Sequence, residues 1–228
     1  ARTLVIQLAG DQLVPELVTL AVDRGGGNPL FLEEVTRTLL ESGSDSIPPT
    51  VEALLRARID RLPARLKVTL TTAAIIGQEF SRPLLEQVLG ESQDLTATLR
   101  ELVDQALLAE SEVVPDVFRF RQPLLQEVAY EGWLNHRRKM LHRRIGEAIE
   151  RMYANRLFEH LEKLARHFTR SEEWERAIRY HRAAGRKAAT LCANQEAIQR
   201  FERALELLDR WPEALDRDRV AIDIRLDL

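Results

Sequence analysis

Apolar residues recur at three- and four-residue spacing along nearly the whole chain, and that period admits little except packed α-helices. The clearest run is "DLTATLRELVDQALLAE", where Leu95, Leu99, Leu102, Val103, Ala106 and Leu107 form one stripe behind Asp94 and predict a helix with a buried face. Punctuation residues cut the rest into similar pieces. Leu4, Val5 and Leu8 predict a short helix ended by Gly10, Pro15 opens a second that runs to near Arg24, and Asn28 caps a third. Pro48 and Pro49 start a fourth with Val51, Leu54, Leu55, Ile59 and Leu62 on one side. Pro63 begins a helix that Gly77 stops, and Ser81-Arg82-Pro83 begins a short one to Leu89. Further helices are predicted over Pro123 to Trp133 and Asn135 to Tyr153, followed by antiparallel pairs to the end.

One stretch breaks the helical period. In "LLAESEVVPDVFRFR", Val117, Phe118 and Phe120 follow a Val114-Pro115-Asp116 turn, which predicts a β-hairpin. Three helices and then a hairpin is the order of a winged helix. The expected fold class is therefore mainly α. It comprises a small helical domain over residues 1–62, a winged-helix domain with a short hairpin over 63–134, and antiparallel helical hairpins of tetratricopeptide-like type over 135–228. The last assignment rests on "ERAIRYHRA" echoing "QEAIQRFERA", and on Gly185, Ala197, Phe201 and Ala204 keeping the Gly, Ala, Phe and Ala offsets of that repeat. Its Trp, Leu and Tyr positions hold His181, Ala184 and Ala188, and ordinary helical-hairpin packing accounts for the pattern nearly as well. Either way Phe201 is expected between two helices, in a stripe with Ala197, Ile198, Ala204, Leu205 and Leu208.

Composition narrows the function classes. The 228 residues carry 33 basic and 36 acidic side chains, a formal charge of -3, so the chain has no global pull toward nucleic acid or anionic membrane. A single cysteine, Cys192, excludes an internal disulfide framework and favours a reducing compartment; in "ATLCANQ" it is expected to be a small buried thiol rather than a nucleophile. No long apolar run and no signal-peptide pattern occur, so a cytoplasmic protein without membrane attachment is expected. The opening "ARTLVIQLAG" lacks Met and the closing "EALDRDRVAIDIRLDL" ends in a helical pattern, so both ends read as cut from a longer protein.

No catalytic constellation emerges, and the chain is expected not to be an enzyme. The stretch "RGGGNPLFLEEV" has the glycines of a phosphate cradle but lacks the Lys and Ser/Thr of a P-loop. It reads more plainly as a flexible turn before a helix capped by Asn28 with Pro29 at its first position. Five histidines without ligand spacing predict no metal site. The basic run "HRRKMLHRR" places Arg137, Arg138, Lys139, Arg143 and Arg144 on one predicted helix. These cations either bind phosphates or a partner, or solvate the outer face and pair with neighbouring acids.

Several stretches, in order, resemble one family: "GGGNPLFLEEVTRTLLESGS", "IPPTVEALLRARIDRLP", "AAIIGQEFSRPLLEQVL", "LRELVDQALLAE", "FRFRQPLLQEVAYEGW" and "MLHRRIGEAIE". Together they look like the downstream half of a STAND-type, AAA-related signalling ATPase, as found in bacterial regulators fused to nucleotidyl cyclases or of the LuxR type. The resemblance implies a helical lid, a winged helix and a tetratricopeptide-like sensor array lying after a P-loop domain. It implies a non-catalytic regulatory module with ATP or ADP held by the parent protein and no cofactor in this chain. Its partners would be the upstream P-loop domain and an inducer or protein on the array. By the same resemblance Gly27, Asn28 and Pro29 correspond to the family's Gly-x-Pro turn near the adenine, and Gln122 stands where related sequences usually carry His. Two alternatives stand beside this reading. One is a winged-helix DNA-binding protein, against which the acidic Leu95–Leu107 segment with its single cation Arg100 weighs. The other is a plain helical-repeat adaptor.

Overall fold

In a computed structural model the protein is mainly helical with one small sheet, and residues 1–9, 18–19, 22, 29–42, 50–90, 94–211 and 217–227 are described. The amino-terminal helices are α1 (Arg2–Ala9), α2 (Pro29–Ser42) and α3 (Val51–Arg61). The Oγ1 of Thr50 caps α3 by accepting from the Ala53 N–H at 3.2 Å. The expected helix from Pro15 to Arg24 and the stops and caps at Gly10, Asn28, Pro48 and Pro49 lie largely or wholly outside the described residues.

Next come α4 (Ala64–Ile76), β1 (Glu79–Ser81), α5 (Arg82–Leu89), α6 (Leu95–Asp104), β2 (Leu108–Glu110), β3 (Val117–Phe120) and α7 (Pro123–Glu131). The expected hairpin is β2–β3, antiparallel with Leu108 opposite Phe120 and Glu110 opposite Phe118. The structure adds β1 on the other edge, giving the order β1-β3-β2 with Phe80 opposite Phe118. Beyond the ladder, Arg82 grips Asp116 through two guanidinium nitrogens at 2.8 and 3.1 Å, and Gln78 Nε2 donates to Phe120 O at 2.8 Å.

Helix α6 ends at Asp104, before the predicted Ala106 and Leu107. Ala106 turns to φ 54°, its N–H bonds Val103 O, and the Leu107 N–H bonds Leu102 O. That is a Schellman motif with alanine in the left-handed position. Leu107 is still buried, but from the turn rather than from the helix.

The remaining helices are α8 (Asn135–Met152), a 3-10 segment (Ala154–Glu159), α9 (Leu161–Ser171), α10 (Trp174–Thr190), α11 (Asn194–Arg210) and α12 (Arg217–Asp227). Consecutive members pack on one another. Two glycine–phenylalanine contacts set their spacing. A Cβ on Gly146 of α8 would lie 2.7 Å from the Phe168 ring of α9, and one on Gly185 of α10 would lie 2.6 Å from the Phe201 ring of α11. The step from Gly146 to Gly185 is 39 residues and that from Phe168 to Phe201 is 33; most of the difference comes from the 3-10 segment, which lengthens the first connection. Phe201 is buried where the sequence puts it, whereas Ile198 is exposed on the far side of α11. Cys192 corrects another expectation: its thiol is exposed, because the residue occupies the left-handed turn between α10 and α11 at φ 59° and not a packed helix face.

Two apolar clusters result. Val5, Val18, Phe31, Leu32, Val35, Leu39 and Leu54 form the smaller, among the amino-terminal helices. The larger runs without interruption from Leu55 and Ile59 of α3 through the sheet unit to Ile224 of α12. Helix α3 therefore contributes to both.

Candidate functional site

The site residues suggested by the sequence fall in three places. Gly27 and Asn28 lie outside the described residues, and Pro29 is exposed at the start of α2. Gln122, immediately before α7, is joined to α2: its Nε2 donates to Glu34 Oε1 at 3.3 Å, and its own Oε1 is buried without a partner. Glu34 is only 1% exposed and takes a second set of bonds from Arg58 of α3, at 3.2 and 3.1 Å. Arg58 in turn donates to Gln105 O at the end of α6, and Arg37 reaches the same carbonyl at 3.5 Å. Gln122 thus belongs to a buried polar junction between the amino-terminal helices and the sheet unit.

The basic run on α8 is dispersed over local partners. Arg137 lies over the Trp133 ring and Arg138 over Tyr130, Lys139 pairs with Glu172 at 2.7 Å, and Arg143 pairs with Glu147 and Glu173 at 3.0 and 3.2 Å. Arg144 is exposed. These contacts favour the reading in which the cations serve the helix surface; exposed pairs of this kind contribute little to stability.

A different basic site is assembled by residues distant in sequence. A cleft of 820 Å³ opens between β1 and the carboxy-terminal helices. Lys163, Arg166 and Arg170 line it from α9, where spacings of three and four residues put them on one side of the helix, and Arg200 and Arg203 line it from α11. Its acids are Glu79 on β1 and Glu162, the latter already bonded to Lys187 at 3.0 Å. Arg200 and Arg203 pair with Glu196 and Glu206 on their own helix. Among the described residues, Lys163 and Arg170 have no ion-pair partner.

Behind the cleft runs a chain of hydrogen bonds with a fixed direction. Arg166 donates to Ile76 O and, at 3.3 Å, meets Nε2 of His167. His167 Nδ1 lies 2.9 Å from His142 Nδ1, and His142 Nε2 lies 3.1 Å from the Tyr130 hydroxyl. A guanidinium only donates, so His167 accepts at Nε2 and holds its proton on Nδ1. It then donates to His142, which holds its proton on Nε2 and donates to Tyr130. Burial first, and then the charges of Arg166, Arg170 and Arg138, push His142 down to about 3; burial and Arg166 hold His167 well below the ordinary imidazole value. Both rings are neutral at pH 7. Spacing in the sequence gave no sign of this contact, because it is made between two helices. Among the described residues no group of three or more His, Cys, Asp or Glu is placed to hold a metal ion.

Comparison with known proteins adds one relative. An uncharacterised protein of Rhizobium meliloti is 29% identical over 216 residues, which cover 89% of this chain. This chain spans 21% of the length of that protein. No family model matches the chain, and no solved structure matches it. Among the described residues no helix is long and apolar enough to cross a membrane.

Proposed function

We propose that this chain is a non-catalytic regulatory and interaction module of a STAND-type signal-transduction ATPase. In this reading residues 1–62 are the helical lid, 63–134 a winged helix whose wing is β2–β3, and 135–228 a tetratricopeptide-like array. The element order supports it, as do the two Gly–Phe contacts, which recur from one helical pair to the next. The observation that carries it is the junction of Glu34, Arg58, Gln122 and the Gln105 carbonyl. A core contact need only be apolar, whereas a buried ion pair joined to an amide is specific more than it is strong. An interface that must hold one arrangement and release it for another is better built from such bonds than from a continuous apolar seal.

The mechanism is conformational. ADP on the parent's upstream P-loop domain would favour a closed arrangement held through the winged helix. ATP together with a ligand or protein on the array would favour an open one. Gln122 supplies an amide where a histidine would supply a titratable donor, so this position responds to geometry and not to charge. Calorimetry of the 228-residue chain with ATP, with and without magnesium, tests the non-catalytic assignment. Binding no tighter than millimolar is expected; micromolar, magnesium-dependent affinity overturns it. A P-loop encoded upstream of Ala1 in the parent gene is the second expectation, and its absence would favour the plain helical adaptor.

A further inference from the structure

The cleft between β1 and the carboxy-terminal helices has the makings of a ligand site. Its cations outnumber the acids that line it. Lys163 and Arg170 have no ion-pair partner among the described residues, and Arg166 spends its guanidinium on the Ile76 carbonyl and the neutral ring of His167. Like charges collected in a concavity repel one another and raise the local concentration of anions.

The second observation is His181, which lines the same cleft and is only 6% exposed. Thr169 Oγ1 gives its proton to Ala165 O at 2.7 Å, so it accepts from His181 Nε2 at 3.1 Å. The neutral ring therefore presents Nδ1 as an acceptor, and that buried atom has no partner. A fully deprotonated anion such as sulfate or a carboxylate cannot satisfy it, since its oxygens only accept. The missing group is an O–H or N–H. On the opposite wall Glu79 and Ser81 offer further acceptors to hydroxyl groups.

We propose that this cleft binds a small multivalent anion that carries hydroxyl groups, either a sugar phosphate or a hydroxy-polycarboxylate. Lys163, Arg170, Arg200 and Arg203 hold the anionic groups, and His181 Nδ1 accepts from a hydroxyl. The cleft has the size of small-molecule sites, and a chain of net charge -3 is poorly suited to a long polyanion. The site names what the array of the proposed module senses and rests on that reading for its consequence alone. Binding by this chain tests the site and nucleotide response of the parent tests the module, so the two fail separately.

The experiment is calorimetry of the full chain at low ionic strength with four probes: glucose 6-phosphate, citrate, sulfate and glucose. Glucose 6-phosphate or citrate is expected to bind saturably, roughly tenfold or more tighter than sulfate or glucose, and which of the two binds identifies the source of the anion. The double variant Lys163→Ala/Arg170→Ala removes two unpaired surface cations, so its circular dichroism stays unchanged while affinity falls roughly tenfold or more. His181→Phe abolishes the preference for hydroxylated ligands over sulfate. Should that variant fail to fold, the ring nitrogen resonances of the unaltered chain carry the same test, with His181 Nδ1 shifting on saturation. Absence of saturable binding, sulfate binding as well as the larger anions, an unaffected double variant or an unmoved Nδ1 resonance would each overturn the proposal.

Discussion

Three buried histidines with depressed basicity make folding sensitive to mild acid. His142 is pushed down to about 3 by burial and by Arg166, Arg170 and Arg138. His167 lies well below the ordinary value through burial, Arg166, His142 and Lys163, and His181 is pushed down to about 4 by burial, Arg200 and Arg203. Between pH 4 and the ordinary imidazole value of about 6.5, the unfolded chain binds protons at these positions that the folded chain refuses. Their contribution to stability is thus complete above that value and is lost as pH falls below it, with a slope approaching about 1.4 kcal/mol per unit for each ring. Carboxylates held down by arginines, such as Asp116, act in the same direction but nearer their own ordinary range, so histidines dominate above pH 5. Urea unfolding at intervals from pH 7.5 to 5 is expected to show stability falling below pH 6.5 by about 2 kcal/mol per histidine at pH 5. His181→Gln, which keeps an N–H for Thr169, should remove about one-third of that slope. A flat profile would mean that these rings are hydrated and titrate normally.

At the scale of elements, helix pairs are set by glycine against phenylalanine. In an isolated helix Gly185→Ala would be favourable by about 1 kcal/mol. Here the new Cβ meets a ring that is 1% exposed, at 2.6 Å, and overpacking of that kind costs about 1–3 kcal/mol. The expected result for Gly185→Ala is net destabilisation, and Phe201→Ala is expected to cost about 3–5 kcal/mol. In the Phe201→Ala background the clash is gone, so Gly185→Ala should change sign and stabilise. Denaturant titration of the four proteins in this cycle checks it; additive effects would mean that the two residues do not touch. The same register was legible in the sequence because the Gly185, Ala197, Phe201 and Ala204 offsets are local to one hairpin. Its predecessor, Gly146 with Phe168, was hidden by the six extra residues of the 3-10 segment. Helix ends were legible at Gly77, where glycine makes the stop, and at Leu89. They were missed or misread where Ala106, Glu172 and Cys192 take positive φ, because an L-residue in that conformation leaves no compositional mark. Strand β1 was silent for a related reason: three residues give no alternation, and only the bonds to β3 make it a strand. The cleft could not be read at all, since its cations come from two helices and each one looks like ordinary surface charge.

Across the whole molecule the division of the core decides what unfolds first. The sheet unit and the carboxy-terminal helices share one apolar cluster, so no inexpensive surface separates them. The amino-terminal helices have their own smaller cluster and meet the rest through α3 and through the Glu34, Arg58 and Gln122 junction. Opening there exposes less apolar area but sets a buried carboxylate against water or against nothing. Arg58→Met keeps the length and apolar stem of the side chain while removing its charge, and losing one member of a buried ion pair costs about 3–5 kcal/mol. Because Gln122 still donates to Glu34, the effect is expected toward the lower end of that range. Native-state hydrogen exchange is expected to show the loss in α1, α2 and α3, with α8 to α11 keeping their protection. A uniform loss across both clusters would mean that the chain unfolds as a single cooperative unit and that the junction is no hinge. A loss confined to the amino-terminal helices would identify it as the place where a bound partner can bias the position of one part of the molecule against the other.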